Sequence, residues 1–211
     1  LQEFSVSHPE YRVLTPKINF YYDKQKIWNC GGKLFFGFRK YYYAGSPDTA
    51  VKESGNIDIS FVTGCALFFY PELLDEKRHL LTERFFFGEE DFEFSMRMKK
   101  ANVYMACVLD SLIYHKVGAT VGKTQGVSKY YMHYLNRFID VRLHFGTVKY
   151  FVWMLLNVPF VFRYFYRSTH RFSLVFRLLK FLLRDAKSKD CVSQEDFNRL
   201  VLEHNYFPFE V

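Results

Sequence analysis

The apolar residues of this chain keep two rhythms. Over the first half they gather in short runs broken by turn residues; from residue 128 onward they recur at helical spacing. Residues 12–14 and 17–22 read as one or two strands, residues 23–26 as a turn into Ile27 and Trp28, and Gly31-Gly32 as a bend. Residues 39–43 suit a hairpin arm. Residues 44–56, with Gly45-Ser46-Pro47-Asp48 and Gly55-Asn56, suit a loop. Residues 57–70 read as strand, tight turn and strand, with Thr63-Gly64 at the turn, and a short helix from Pro71 leads on to Phe85. A helix follows from Asp91, since Phe94, Met98 and Ala101 fall on one face. Strands are expected at 103–108 and 112–115, and a flexible loop at 118–126. Ser128 starts a helix on which Tyr131, Tyr134 or Leu135, and Phe138 share a face. Ser193, before Gln194, Glu195 and Asp196, reads as the cap of a terminal helix that ends before Pro208.

The most informative stretch lies between the two rhythms, in Phe85-Phe86-Phe87-Gly88-Glu89-Glu90-Asp91-Phe92-Glu93-Phe94. Three adjacent acids behind three phenylalanines are costly, because like charges crowded at a poorly hydrated surface raise one another's pKa, and a general base is tuned in this way. Asp91 falls in the first turn of its helix, beside unpaired backbone amides. Glu93 can pair with Arg97 at i+4. The plainer alternative is a helix cap with a solvated acidic face.

The order of features around this run narrows the choice. Thr63-Gly64-Cys65 precedes it, Glu90-Asp91, Glu93 and Arg97 form it, and His115 closes the apolar strand after it. On these residues the chain resembles the family 2 inverting glycosyltransferases, in particular the bacterial rhamnosyltransferase-like members that build surface polysaccharides. The likeness extends upstream to Pro16-Lys17-Ile18, Ile27-Trp28 and Gly31-Gly32, and downstream to Tyr130, Tyr131, Asn136 and Arg137.

The resemblance implies an α/β fold: the C-terminal, acceptor-side part of a glycosyltransferase A-type nucleotide-diphospho-sugar transferase, with a mixed sheet followed by basic amphipathic helices. It implies Asp91 as catalytic base with Glu90 beside it, and Thr63, Gly64, Trp28 and Glu93 around the acceptor. It further implies His115 on the diphosphate side and Arg97 as support. The partners it implies are a nucleotide-sugar donor and a saccharide or lipid-linked acceptor. A divalent cation, Mg or Mn, is the expected cofactor of a complete enzyme. No Asp-x-Asp stands at the place where the family holds that cation, and no glycine-rich phosphate loop precedes a helix. No metal ligand is therefore assigned in the chain. It reads as a portion without the nucleotide-binding half, not expected to turn over substrate alone. A non-catalytic carbohydrate- or membrane-binding module derived from the same fold is the alternative.

Composition and charge locate a further partner. A hydrophobic content of 49% in 211 residues excludes a disordered chain. Cys30, Cys65, Cys107 and Cys191 lie far apart with no Cys-x-x-Cys pair, which suggests neither zinc nor a disulfide framework and fits a reducing cytoplasm. The start of the chain lacks the basic-then-apolar pattern of a signal peptide. Of the net charge of +7, residues 137–189 hold 11 Lys/Arg against 2 Asp/Glu, while residues 190–211 hold 1 against 5.

The basic segment contains an uncharged apolar run at 150–162, bounded by Lys149 and Arg163. As a helix it would span about 20 Å, short of a bilayer core, and Pro159 should interrupt it. Phe172, Val175, Phe176, Leu179 and Leu182 or Leu183 then recur at helical spacing among Arg171, Arg177, Lys180 and Arg184. Helices lying in the headgroups of an anionic membrane explain both features, which would put the protein in the cytoplasm, peripheral on the inner face of the cell membrane. Packing of the apolar stripe on the catalytic domain is the alternative. Nucleic acid fits less well, because the aromatics form a continuous run and do not stand singly among cations. The expected domains are 1–127, the acceptor-side catalytic part; 128–189, the basic aromatic helices; and 190–211, an acidic helix and tail.

Overall fold

The structure, a computed structural model, describes residues 1–52, 54–117 and 127–203. It is mixed α/β with a mixed sheet, and the chain divides into two compact units. The first is Leu1–Thr82 with Asp91–Thr120, the second Glu83–Glu90 with Val121–Val211. Glu83–Glu90, which the sequence boundaries put with the catalytic part, is thus grouped with the second unit.

The first unit is built on two long parallel strands, β1 (Tyr11–Phe20) and β7 (Tyr104–His115). β1 is one strand running through Pro16. The register between the two slips just after that residue, from Pro16 opposite Val108 to Lys17 opposite Leu112, so the proline sits at an irregularity where a missing amide donor costs little. β2 (Ile27–Asn29) returns antiparallel along the second half of β1 after the turn at 23–26, and β3 (Gly32–Phe35) with β4 (Phe38–Tyr41) makes a separate hairpin. Gly32 is required where these pieces meet: a Cβ there would lie 2.3 Å from the backbone oxygen of Lys40.

Residues 57–70 do not form the strand-turn-strand unit expected of them. β5 (Asn56–Ile59) pairs with β7 while β6 (Phe68–Phe69) pairs with β1, so the two strands lie on opposite edges of the β1–β7 pair. The intervening residues must cross from one edge to the other. Phe61 and Val62 are buried on the way, and the Thr15 hydroxyl donates to the carbonyl of Ala66 at 3.0 Å. The helix expected from Pro71 is a single 3-10 turn, Pro71–Leu73.

A short helix, α1 (Gln2–Ser7), lays Phe4 against Leu14, Ala106 and Val108 on one face of the sheet. On the other, Phe94 and Met98 of α2 (Glu90–Lys100) join Val13, Ile27, Val62, Met105 and Cys107. Ala101 is not part of that face. It is exposed in the turn that ends the helix, where Asn102 takes a left-handed φ of 55°. All four cysteines are free; Cys30 and Cys107 belong to this core, and contact with Cys30 together with burial pushes the Cys107 thiol up.

The second unit is helical. α3 (Val127–His144), α4 (Thr147–Thr169) and α5 (Phe172–Ser188) bury Tyr131, Leu135 and Phe138; Trp153, Asn157, Val161 and Phe165; and Val175, Leu178, Leu182 and Ala186 against one another. The Phe138 and Trp153 rings meet edge to face at 4.9 Å. α4 is one helix of 23 residues and not the interrupted 13-residue segment expected, since Pro159 lies on its exposed side. α6 (Gln194–Phe197) begins with the Ser193 cap, closed reciprocally by Asp196. The loop expected at 118–126 and the end at Pro208 fall outside the described residues.

Candidate functional site

Asp91 is the first residue of α2 that belongs to the first unit, and its side chain is 20% exposed. The chain reaches it through Glu89, which takes a left-handed φ of 74°, and Gly88, at 81°. A non-glycine residue adopts that conformation only where its surroundings hold it. Glu89 is held: its side chain, 1% exposed, pairs with Arg137 and lies 3.0 Å from His133 Nδ1, while the Asn136 amide donates to the carbonyls of Phe87 and Gly88 at 3.0 Å each.

The acids therefore do not act as one crowded cluster. Glu89 takes Arg137 and His133, Glu93 takes Arg97, and the Asp91 carboxylate has the Arg39 guanidinium at 3.8 Å. Glu89, Asp91 and Glu93 thus each have a cation of their own, which offsets part of the repulsion the bare sequence suggests. Glu90, the first residue of α2, is half-buried.

Three further contacts fix the start of α2. The Ser95 hydroxyl donates to the Asp91 carbonyl at 2.7 Å, and the same oxygen accepts the Val62 amide at 3.2 Å, so the helix is tied to the residue before Thr63. Arg97 reaches past Glu93, which is 6% exposed, to donate to the Leu80 carbonyl at 2.7 Å. The Thr63-Gly64-Cys65 turn then comes against Asp91. Thr63 is buried and Gly64 exposed, and a Cβ built on Gly64 would lie 3.9 Å from the Asp91 Cβ. That is ordinary contact distance, so the glycine leaves space beside the carboxylate without being demanded by packing.

Trp28 and His115 form a second pair, with ring centroids 4.6 Å apart. His115 ends β7 opposite Phe20 and, with Tyr21, Tyr22, Asp23, Lys26 and Val117, lines an open cleft of about 370 Å³. Trp28 is half-buried. One imidazole, one carboxylate and one ammonium do not make a divalent-cation site, which takes several oxygen donors. Among the described residues no group of three or more His, Cys, Asp or Glu is placed to hold a metal.

Sequence reasoning missed Arg39 and Ser95, and took Glu89 as one of a crowded cluster where the structure pairs it with Arg137 and His133. Arg39 comes from β4, 52 positions before Asp91, and spreads over the Tyr41 and Phe61 rings at 5.3 and 5.2 Å. Ser95 carried a signal, a small hydroxyl among Phe92, Phe94 and Met98 on a buried face. His133 and His144 each have a carboxylate partner: Glu89, and Asp140 at 3.4 Å, four positions before His144. Comparison with protein-family models and with curated proteins finds no match to the chain.

Proposed function

We propose that the chain carries the acceptor side of an inverting sugar transferase of the glycosyltransferase A type, with Asp91 as its base. The observation that carries this reading is a partly exposed carboxylate at a helix start, fixed by Ser95 and set against a turn whose Gly64 has no side chain. A saccharide hydroxyl could approach such a carboxylate over open backbone.

An inverting transfer is one in-line displacement. The acceptor oxygen attacks the anomeric carbon, its proton passes to an Asp91 carboxylate oxygen, and the bond to the nucleoside diphosphate breaks with its electron pair leaving on the diphosphate. Arg39 keeps positive charge beside the base. In this reading Thr63 and Gly64 line the acceptor pocket, Glu90 stands beside the base, Trp28 stacks on a sugar, and His115 lies on the diphosphate side. The donor is a nucleotide sugar, whose diphosphate would be charge-compensated by a divalent cation held outside these residues. The acceptor is a saccharide or lipid-linked saccharide of a surface polysaccharide, which puts the work at the inner face of a cell membrane.

Asp91→Asn, made in a protein that carries the nucleotide-binding half, tests the reading. Transfer should fall by roughly a hundredfold or more while nucleotide-sugar binding persists. Full turnover in that variant would exclude Asp91 as the base.

A further inference from the structure

α4 buries one stripe and leaves another bare. Trp153, Asn157, Val161 and Phe165, spaced four apart, face the helical unit, while Val148, Phe151, Val152, Leu155, Leu156 and Phe160 are each between 44 and 79% exposed. No residue from 150 to 162 is charged, so the exposed side is apolar for more than three turns, about 20 Å. Proteins rarely leave so long a stripe to water unless it meets an apolar phase or a partner.

The charge around the stripe selects between these. Both acids of residues 137–189 are buried inside the unit, Asp140 beside His144 and Asp185 accepting from the Tyr131 hydroxyl at 2.9 Å. Everything charged that this segment exposes is cationic. Lys149 stands at one end of the apolar side, Arg163, Arg167 and Arg171 at the other, and α5 adds Lys180, while Arg184 pairs with Asp185 at 2.8 Å. Phe172 and Phe176, both more than half exposed, pack on Phe162 and extend the aromatic surface toward those cations. Among the described residues no helix is long and apolar enough to cross a membrane.

We propose that the outer face of α4, continued by Phe172 and Phe176 of α5, docks on an anionic phospholipid surface, with Phe151, Leu155 and Phe160 entering the acyl boundary and the arginines at 163, 167 and 171 meeting lipid phosphates. A helix with an uninterrupted apolar side and cations at its ends suits the plane of the headgroups. A folded protein partner would be expected to match acidic groups to the cations and polar groups along the stripe, and the stripe has none to offer. The inference rests on the membrane location in the reading above but not on the chemistry given to Asp91.

Flotation of the chain with phosphatidylcholine–phosphatidylglycerol vesicles, against phosphatidylcholine alone, tests it. Binding should require the anionic lipid, weaken with salt, and be lost in Leu155→Glu/Phe160→Glu. Neutralising Arg163, Arg167 and Arg171 to Gln should weaken it on the order of a hundredfold. Absence of flotation, or undiminished flotation of the Glu variant, overturns the proposal. So does finding that the Glu variant converts a dimer to a monomer in lipid-free solution, which would make the face a contact between copies. If the Glu variant does not fold, Leu156→Trp gives a separate reading: its emission should shift to the blue with anionic vesicles, and unchanged emission overturns the docking. Because none of these readouts involves sugar transfer, failure here leaves Asp91 untouched, and an inactive Asp91 variant leaves the docking untouched.

Discussion

The hydroxyl of Ser95 holds Asp91 in place: it donates to the Asp91 carbonyl at 2.7 Å and accepts the Val62 amide at 3.2 Å on its other side. One buried oxygen thus joins the first turn of α2 to the residue that leads into Thr63 and Gly64. Ser95→Ala removes both bonds and strands the Val62 amide in the core. A loss of about 1–3 kcal/mol in denaturant unfolding is expected, together with a fall in any transfer activity larger than the stability change explains. Unchanged stability would mean the amide finds another partner.

Two glycines should respond in opposite ways. Gly32→Ala drives a methyl to 2.3 Å from the Lys40 carbonyl, backbone that cannot step aside, and should lower the melting temperature sharply or prevent folding. Gly64→Ala meets only Asp91 and Leu81, at 3.9 and 4.0 Å, and should leave the melting temperature nearly unchanged while weakening acceptor binding. Equal losses of stability from the two substitutions would remove the argument that Gly64 serves a ligand.

The Glu89–Arg137 pair makes a different prediction. Arg137→Met takes the guanidinium away from the buried Glu89 carboxylate, and breaking a buried pair from one side typically costs about 3–5 kcal/mol. Glu89→Gln combined with Arg137→Met should recover a large part of that loss, because no bare charge is left behind. A double variant no more stable than the single would show that the loss comes from packing.

Asp48 links folding to pH. The hydrogen bond from Asn19 and the ion pair with Lys17, at 3.0 and 2.9 Å, hold its carboxyl below the usual carboxylate range. A depressed folded-state pKa contributes stability that is complete above the unfolded value, about 3.9, and is lost as pH falls through the folded value. The stability gap between the wild type and Asp48→Asn should therefore be constant near neutrality and close below about pH 4. A gap independent of pH would sink this assignment.

Much of the local structure could be read directly. Phe94 and Met98 announce the buried face of α2, Tyr131, Leu135 and Phe138 that of α3, and Ser193 with Asp196 the cap of α6, because each rests on neighbours three to four positions apart. Ala101 misled for the same reason: the period continues past the point where Asn102 turns the chain. For the candidate site the Glu93–Arg97 pair was legible and the partner of Asp91 was not.

What the sequence by itself determined is what spacing and composition encode: the buried faces of α2 and α3, the cap of α6, the segregation of positive charge into residues 137–189, and the acids gathered at one helix start. Tertiary structure alone decided that β5 and β6 pair on opposite edges, that Arg39 and Arg137 divide Asp91 and Glu89 between them, and which apolar stripe of α4 is covered. The reason is separation along the chain. A periodic pattern reports contacts within a turn or two of helix, whereas those choices join residues about fifty positions apart or set one helix face against another, and depend on the path the backbone takes between them.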